Sequence, residues 1–105
     1  MSEPAALVTI AAPGRILVGS PLTFHTARRA CQAGIECFTR DGSSQIVVDC
    51  AGAAPADSAG LAVLIEWRRW ATHHECHLTF ANLPVQISAI AHLSEVTAVL
   101  ADAAA

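Results

Sequence analysis

Residues 45–50, reading QIVVDC, form a near-continuous apolar run of strand length, and this run constrains the fold more than any other stretch of the chain. Such a run suits a central strand, either covered on both faces or flanked by neighbours, so a sheet must be assembled around it. Upstream, residues 6–10 (ALVTI) and 15–19 (RILVG) are short segments rich in β-branched residues, separated by Ala-Ala-Pro-Gly, and they predict a hairpin. Between the hairpin and the central strand, Ala27, Ala30, Cys31 and Ile35 fall near helical spacing, which predicts a first helix over residues 22–38, with Gly34 as a weak point. Downstream, residues 51–56 form an Ala-rich loop around Pro55, and the run from Asp57 to Ala71 carries helix formers without a proline. Residues 77–80 (HLTF) alternate as a further strand, Pro84 opens another helix reaching about Leu93, and residues 96–100 suit either a strand or a last helical turn.

The order β-β-α-β-α-β-α follows, with helices joining strands that become parallel neighbours. At 105 residues the chain is one domain over residues 1–105, because two halves would each be too small for a stable core, and the Ala-rich tail 101–105 is expected to fray. Hydrophobic residues at 53% against 14% charged supply enough apolar surface to offset chain entropy, which excludes intrinsic disorder. Six arginines, no lysine and a net charge of −3 leave no basic run, so nucleic acid is not an expected partner.

Residues 76–94 are the longest stretch without Asp, Glu, Lys or Arg, but His77, Asn82, Pro84, Gln86 and His92 interrupt it and it is not expected to cross a bilayer. The opening Met1-Ser2-Glu3-Pro4 lacks the features of a signal peptide, so the expected location is cytoplasmic. Cys31, Cys37, Cys50 and Cys76 form no CxxC pair and are read as reduced, buried hydrophobes.

Projected at about 100° per residue, the helix after Asp57 has two surfaces. Gly60, Val63, Leu64, Trp67 and Ala71 fall on one side, for the sheet, and Gly60 lets the first turn approach the strand before it. Ser58, Ala62, Ile65, Arg69 and Thr72 fall on the other. Asp57 is a natural N-cap, and Ser58 would present its hydroxyl where unpaired N–H groups and the helix dipole favour a phosphate or a carboxylate. The bland alternative is a capped helix with a favoured first-turn serine and a solvated arginine. Trp67 is expected to be core, while Trp70, on the flank, suits either an interface anchor or a rim residue.

Residues 73–77 (HHECH) hold potential metal ligands, but the adjacent histidines point apart at a turn, so no metal is expected. The cysteines lack an adjacent activating histidine, His25 and His92 being remote, and no phosphate-binding glycine motif is present, so neither catalysis nor a cofactor is expected.

Three stretches together, Val47-Val48-Asp49-Cys50, then Asp57-Ser58-Ala59-Gly60-Leu61-Ala62-Val63-Leu64-Ile65-Glu66-Trp67, then Leu78-Thr79-Phe80-Ala81-Asn82-Leu83-Pro84, resemble the STAS family, the sulphate transporter and anti-sigma factor antagonist domain. The resemblance covers nearly the whole chain and implies an α/β fold, a small mixed β-sheet with helices packed mainly on one face. Within the family the pattern is most similar to the cytoplasmic STAS subunit of Mla-type phospholipid ABC transporters, in which the hydroxyl residue after the Asp helps dock the ATPase subunit. That implies a non-catalytic accessory subunit, reaching the inner membrane only through its partner ATPase and supporting assembly and ATP turnover. The implied docking residues are Asp57, Ser58, Ala62, Ile65 and Arg69. Anti-sigma factor antagonists carry their phosphorylated Ser or Thr immediately before the Gly, where this chain has Ala59; the alternative reading, a partner switch with a kinase, would have to use Ser58. By the resemblance, the final strand and helix of longer STAS domains are expected to be shortened or missing here.

Overall fold

A computed structural model describes residues 7–93. The expected element at 96–100 and the fraying tail lie outside the described residues, as does the side chain of His92. The elements are β1 (Val8–Ala12), β2 (Arg15–Val18), α1 (Ala27–Asp41), β3 (Gln45–Asp49), α2 (Ser58–His73), β4 (His77–Ala81) and α3 (Val85–Leu93), in the expected order. The sheet runs β1-β2-β3-β4, with β1 antiparallel to β2 and β2, β3 and β4 mutually parallel.

The apolar run therefore lies mid-sheet, flanked by β2 and β4, and the described helices cover it on one face. Ile46 and Val48 are buried with Ile16, Val18, Leu78 and Phe80 beneath the helices, whereas Val47 and Asp49 on the other face are half-buried. On that open face Asp49 ties three strands together. Its carboxylate meets the Arg15 guanidinium at 2.8 Å and accepts from the Asn82 side chain and the Ala51 N–H, both at 3.0 Å.

Two boundaries differ from the sequence expectation. β1 extends to Ala12, because pairing continues past an irregularity after Ile10 to bring Ala12 opposite Arg15. The expected helix over 22–38 instead begins at Ala27 and ends at Asp41. Residues 22–26 are held by other bonds: the Leu22 N–H donates to the carbonyls of Ala53 and Pro55 across the Ala54–Pro55 cis bond, and Thr26 Oγ1 donates to the Pro21 carbonyl at 2.6 Å. At the far end Gly42 stops the helix in a left-handed conformation, its N–H donating to the Phe38 carbonyl. The Asp41 carboxylate then accepts from the N–H of Gly14, joining this end to the β1–β2 turn.

The helix pair is set by Trp67. Its indole is fully buried, meets Phe38 edge-on at 5.5 Å and donates to the Cys31 carbonyl at 3.1 Å. A Cβ on Gly34 would lie 2.4 Å from the indole ring, so the absent side chain defines how closely α1 and α2 pack. Gly34, a weak point by helix propensity, is thus a contact point. Gly34→Ala adds helix propensity of about 1 kcal/mol but drives a methyl into a packed ring, a strain of about 1–3 kcal/mol. The expected net effect is a lower denaturation midpoint, read by urea unfolding on Trp fluorescence.

Candidate functional site

β2, β3 and β4 are parallel and each is followed by a helix, so α1, α2 and α3 all start at the carboxyl end of the sheet. In open α/β sheets this edge is where ligands and partners are met. Here α2 starts between the other two, since it packs against both α1 and α3.

Asp57, extended at φ −130°, caps α2 through Oδ1, which accepts from the N–H groups of Ala59 at 2.9 Å and Gly60 at 3.3 Å. Its other oxygen accepts from the Phe24 N–H at 3.0 Å, and the Asp57 N–H donates to the Leu22 carbonyl at 3.1 Å. The loops before α1 and α2 are thereby fastened together. Gly60 belongs to the same clasp, because a Cβ there would lie 2.4 Å from the Leu22 carbonyl oxygen. The close approach expected at Gly60 is therefore to the β2–α1 connection and not to the preceding strand.

On this frame Ser58 is exposed, and its hydroxyl makes no hydrogen bond to another described residue. Ala62 is exposed one turn later, and Ile65 is half-buried against the edge of the core. Arg69 lies at the far end of the stripe, about 16 Å from Ser58 at 1.5 Å per residue. It is already engaged: its guanidinium pairs with Glu66 at 2.9 Å while staying mostly in solvent. Ser58, Ala62 and Ile65 thus form one compact surface, while Arg69 stands apart in a surface ion pair. On the inner side Leu61 joins the buried set with Gly60, Val63, Leu64, Trp67 and Ala71.

Sequence reasoning missed Phe24. Absorbed into an expected helix, it is instead a loop residue with 79% of its surface exposed, its ring touching His25 edge-on at 5.7 Å. Val85, at the start of α3, is 80% exposed. The Thr23-Phe24-His25-Thr26 string, an aromatic among turn-forming polar residues, was the available signal.

The 73–77 cluster lies at the opposite end of the molecule, beside an open cavity of about 320 Å³ walled by Phe38, Trp70 and Cys76. His74 stacks on Trp70 at 4.3 Å, and its Nδ1 lies 2.8 Å from the Trp70 carbonyl. Among the described residues no three His, Cys, Asp or Glu side chains converge to hold a metal. Cys37 and Cys50 are buried as expected, whereas Cys31 and Cys76 are only half-buried. Burial, aided by Asp49, pushes the Cys50 thiol up to about 12, and burial raises the other three as well, which opposes thiolate chemistry.

The Phe24 N–H, then those of Ala59 and Gly60, hold the Asp57 carboxyl below the usual 3.8. Asp41 is lowered chiefly by the Ser43 side chain and then the Gly14 N–H, and Asp49 by the Asn82 amide and then the Ala51 N–H. Each folded value lies below the unfolded one, so the stabilisation is complete above the ordinary aspartate range and is lost as pH falls through the lowered values. The urea midpoint should stay level from pH 7 to about pH 5 and fall below about pH 4. Asp57→Ala should lower Tm by roughly 3–8 °C in a thermal melt and speed amide exchange over residues 22–26 and 58–60.

The family profile described as "Mlab, STAS domain" matches residues 11–101. No curated protein matches the chain by sequence. Among solved structures, a Thermotoga maritima protein described as a putative anti-sigma factor antagonist superposes with a TM-score of 0.69 at 11% identity, over 85% of this chain and 78% of that one. The murine anion transporter Solute Carrier 26 family member A9 superposes with a TM-score of 0.63 at 22% identity, over 77% of this chain and 14% of the transporter. A second structure of that transporter family member gives 0.66 at 15% identity, over 80% and 16%. The structural likenesses share the mixed sheet and its helices, and the profile spans most of the sequence: this chain belongs to the STAS domain family.

Proposed function

We propose that the protein is a non-catalytic accessory subunit that docks, through the start of α2, on the cytoplasmic ATPase of an Mla-type phospholipid ABC transporter, supporting its assembly and ATP turnover. The observation that carries this reading is the Ser58 hydroxyl, exposed and unbonded within the described chain, on a helix start that Asp57 holds rigid. A hydroxyl so presented can exchange water for a partner's hydrogen-bonding group without reorganising the domain. Ala62 and Ile65 continue the surface with small and apolar contacts, and Arg69 would reach a partner carboxylate only by sharing its charge with Glu66. The family profile's description supports the transporter side of the reading. The protein would then meet the inner membrane only through its partner.

The partner-switch reading rests on the same exposed serine, since a kinase could reach it. Against it, Ala59 occupies the position before Gly60 and offers no hydroxyl, and a phosphate on Ser58 would sit beside the Asp57 carboxylate, a like-charge contact.

Ser58→Ala should leave Tm unchanged and weaken partner binding by about 1 kcal/mol or more. Ser58→Glu should disrupt docking further by placing a carboxylate in a contact shaped for a hydroxyl. A pull-down from native lysate, scored for an ABC ATPase against a GHKL-type kinase, tests the identity of the partner. Recovery of the kinase with a species about 80 Da heavier mapped to Ser58 would replace the transporter reading by the phosphoswitch.

A further inference from the structure

Phe24 is a large apolar side chain exposed to solvent on a loop tied down by hydrogen bonds. Its backbone N–H is bound by Asp57, and the preceding turn is closed by Thr26 Oγ1, which accepts from the Thr23 N–H at 3.0 Å. A ring presented on a fixed backbone loses little freedom on being covered, which is the property of an interface anchor. Four and five residues later, Arg28 and Arg29 occupy the first turn of α1. That turn contains no acidic residue, and Thr26 supplies no side-chain cap. Two cations there oppose the positive end of the helix dipole, the reverse of the arrangement that favours folding.

Neither arginine forms an ion pair among the described residues, whereas Arg15 is paired with Asp49, Arg69 with Glu66, and Arg68 lies over the Phe80 ring; Arg40, also without an ion pair there, sits in the last turn of α1, where the helix dipole favours a cation. Arg28 and Arg29 are thus exposed and unpaired among the described residues, four and five positions after the exposed Phe24, whose N–H is bound by Asp57, the neighbour of the exposed Ser58. We infer that this corner docks an acidic protein surface, in which an apolar pocket takes the Phe24 ring and flanking Asp or Glu side chains meet Arg28 and Arg29. The inference rests on the docking reading above and adds the chemistry of the partner. A bilayer is the poorer fit, because one ring and two arginines give little hold on anionic lipid.

The test places the photoreactive residue p-benzoylphenylalanine at position 24, at position 58, and at position 44 at the opposite end as a control, in the full chain expressed in its own host. Positions 24 and 58 should crosslink to the same protein, position 44 should not, and the peptide captured at position 24 should lie beside Asp or Glu residues. Against that protein, purified, Phe24→Ser and the Arg28→Glu/Arg29→Glu pair should each weaken binding at least tenfold, with the charge-reversed variant keeping or raising its Tm. Capture at 58 without capture at 24, adducts at 24 to lipid or to a second copy of this chain, or undiminished binding by the charge-reversed variant would overturn the inference while leaving the docking reading in place. Failure of both positions to capture protein would remove the docking reading and this inference with it.

Discussion

One carboxylate holds the carboxyl end of the sheet together, where the helices of this domain begin. Asp57 spends one oxygen on the first N–H groups of α2 and the other on the N–H of Phe24, so the same group that starts one helix also fixes the approach to its neighbour. The arrangement requires close backbone contact, which the absent side chain at Gly60 permits against the Leu22 carbonyl. On the docking reading proposed above, a partner reaching this end meets Ser58, Phe24 and the start of α1 as one preorganised surface, and the ordering entropy is already settled in folding.

The rest of the core fixes where those helix starts lie. Trp67, wedged against Gly34 and Phe38, sets the spacing of α1 and α2, and the buried faces of β2, β3 and β4 receive the inner side of the helices. Because α2 buries its Trp67 side so completely, its opposite stripe has no core role to fulfil, and Ser58 and Ala62 stay in solvent. At the other end of the helices His74 and Cys76 are engaged by Trp70 and by the Ser43 carbonyl, structural contacts that account for much of the histidine-rich turn.

What could be read from the sequence was what local chemistry determines. The apolar run at 45–50 suits an inner strand, Asp57 before a helix-forming run is a natural cap, and the two surfaces of α2 follow from helical spacing. What escaped were features made by distant segments meeting. Residues 22–26 continue the helical spacing of residues 27–38, yet Leu22 bonds to residues 53 and 55, and that long-range pairing overrides local propensity. For the same reason Phe24 was hidden inside an expected helix, and Gly34 read as a weakness because its partner, Trp67, lies on a different helix far along the chain. Arg69 was expected to await a partner, but Glu66 one turn back had already claimed it.

The central claim is that the partner covers the carboxyl end of the sheet, where the three helices begin. Hydrogen exchange on the domain, free and in complex with the proposed ATPase partner, tests it most directly, because the two ends of the molecule carry separate sets of amides. Protection on binding concentrated in residues 22–30 and 57–65, with residues 39–44 and 70–76 unchanged, is the predicted result. Protection concentrated in residues 39–44 and 70–76, around the Trp70 cavity, with the start of α2 unaffected, would contradict it.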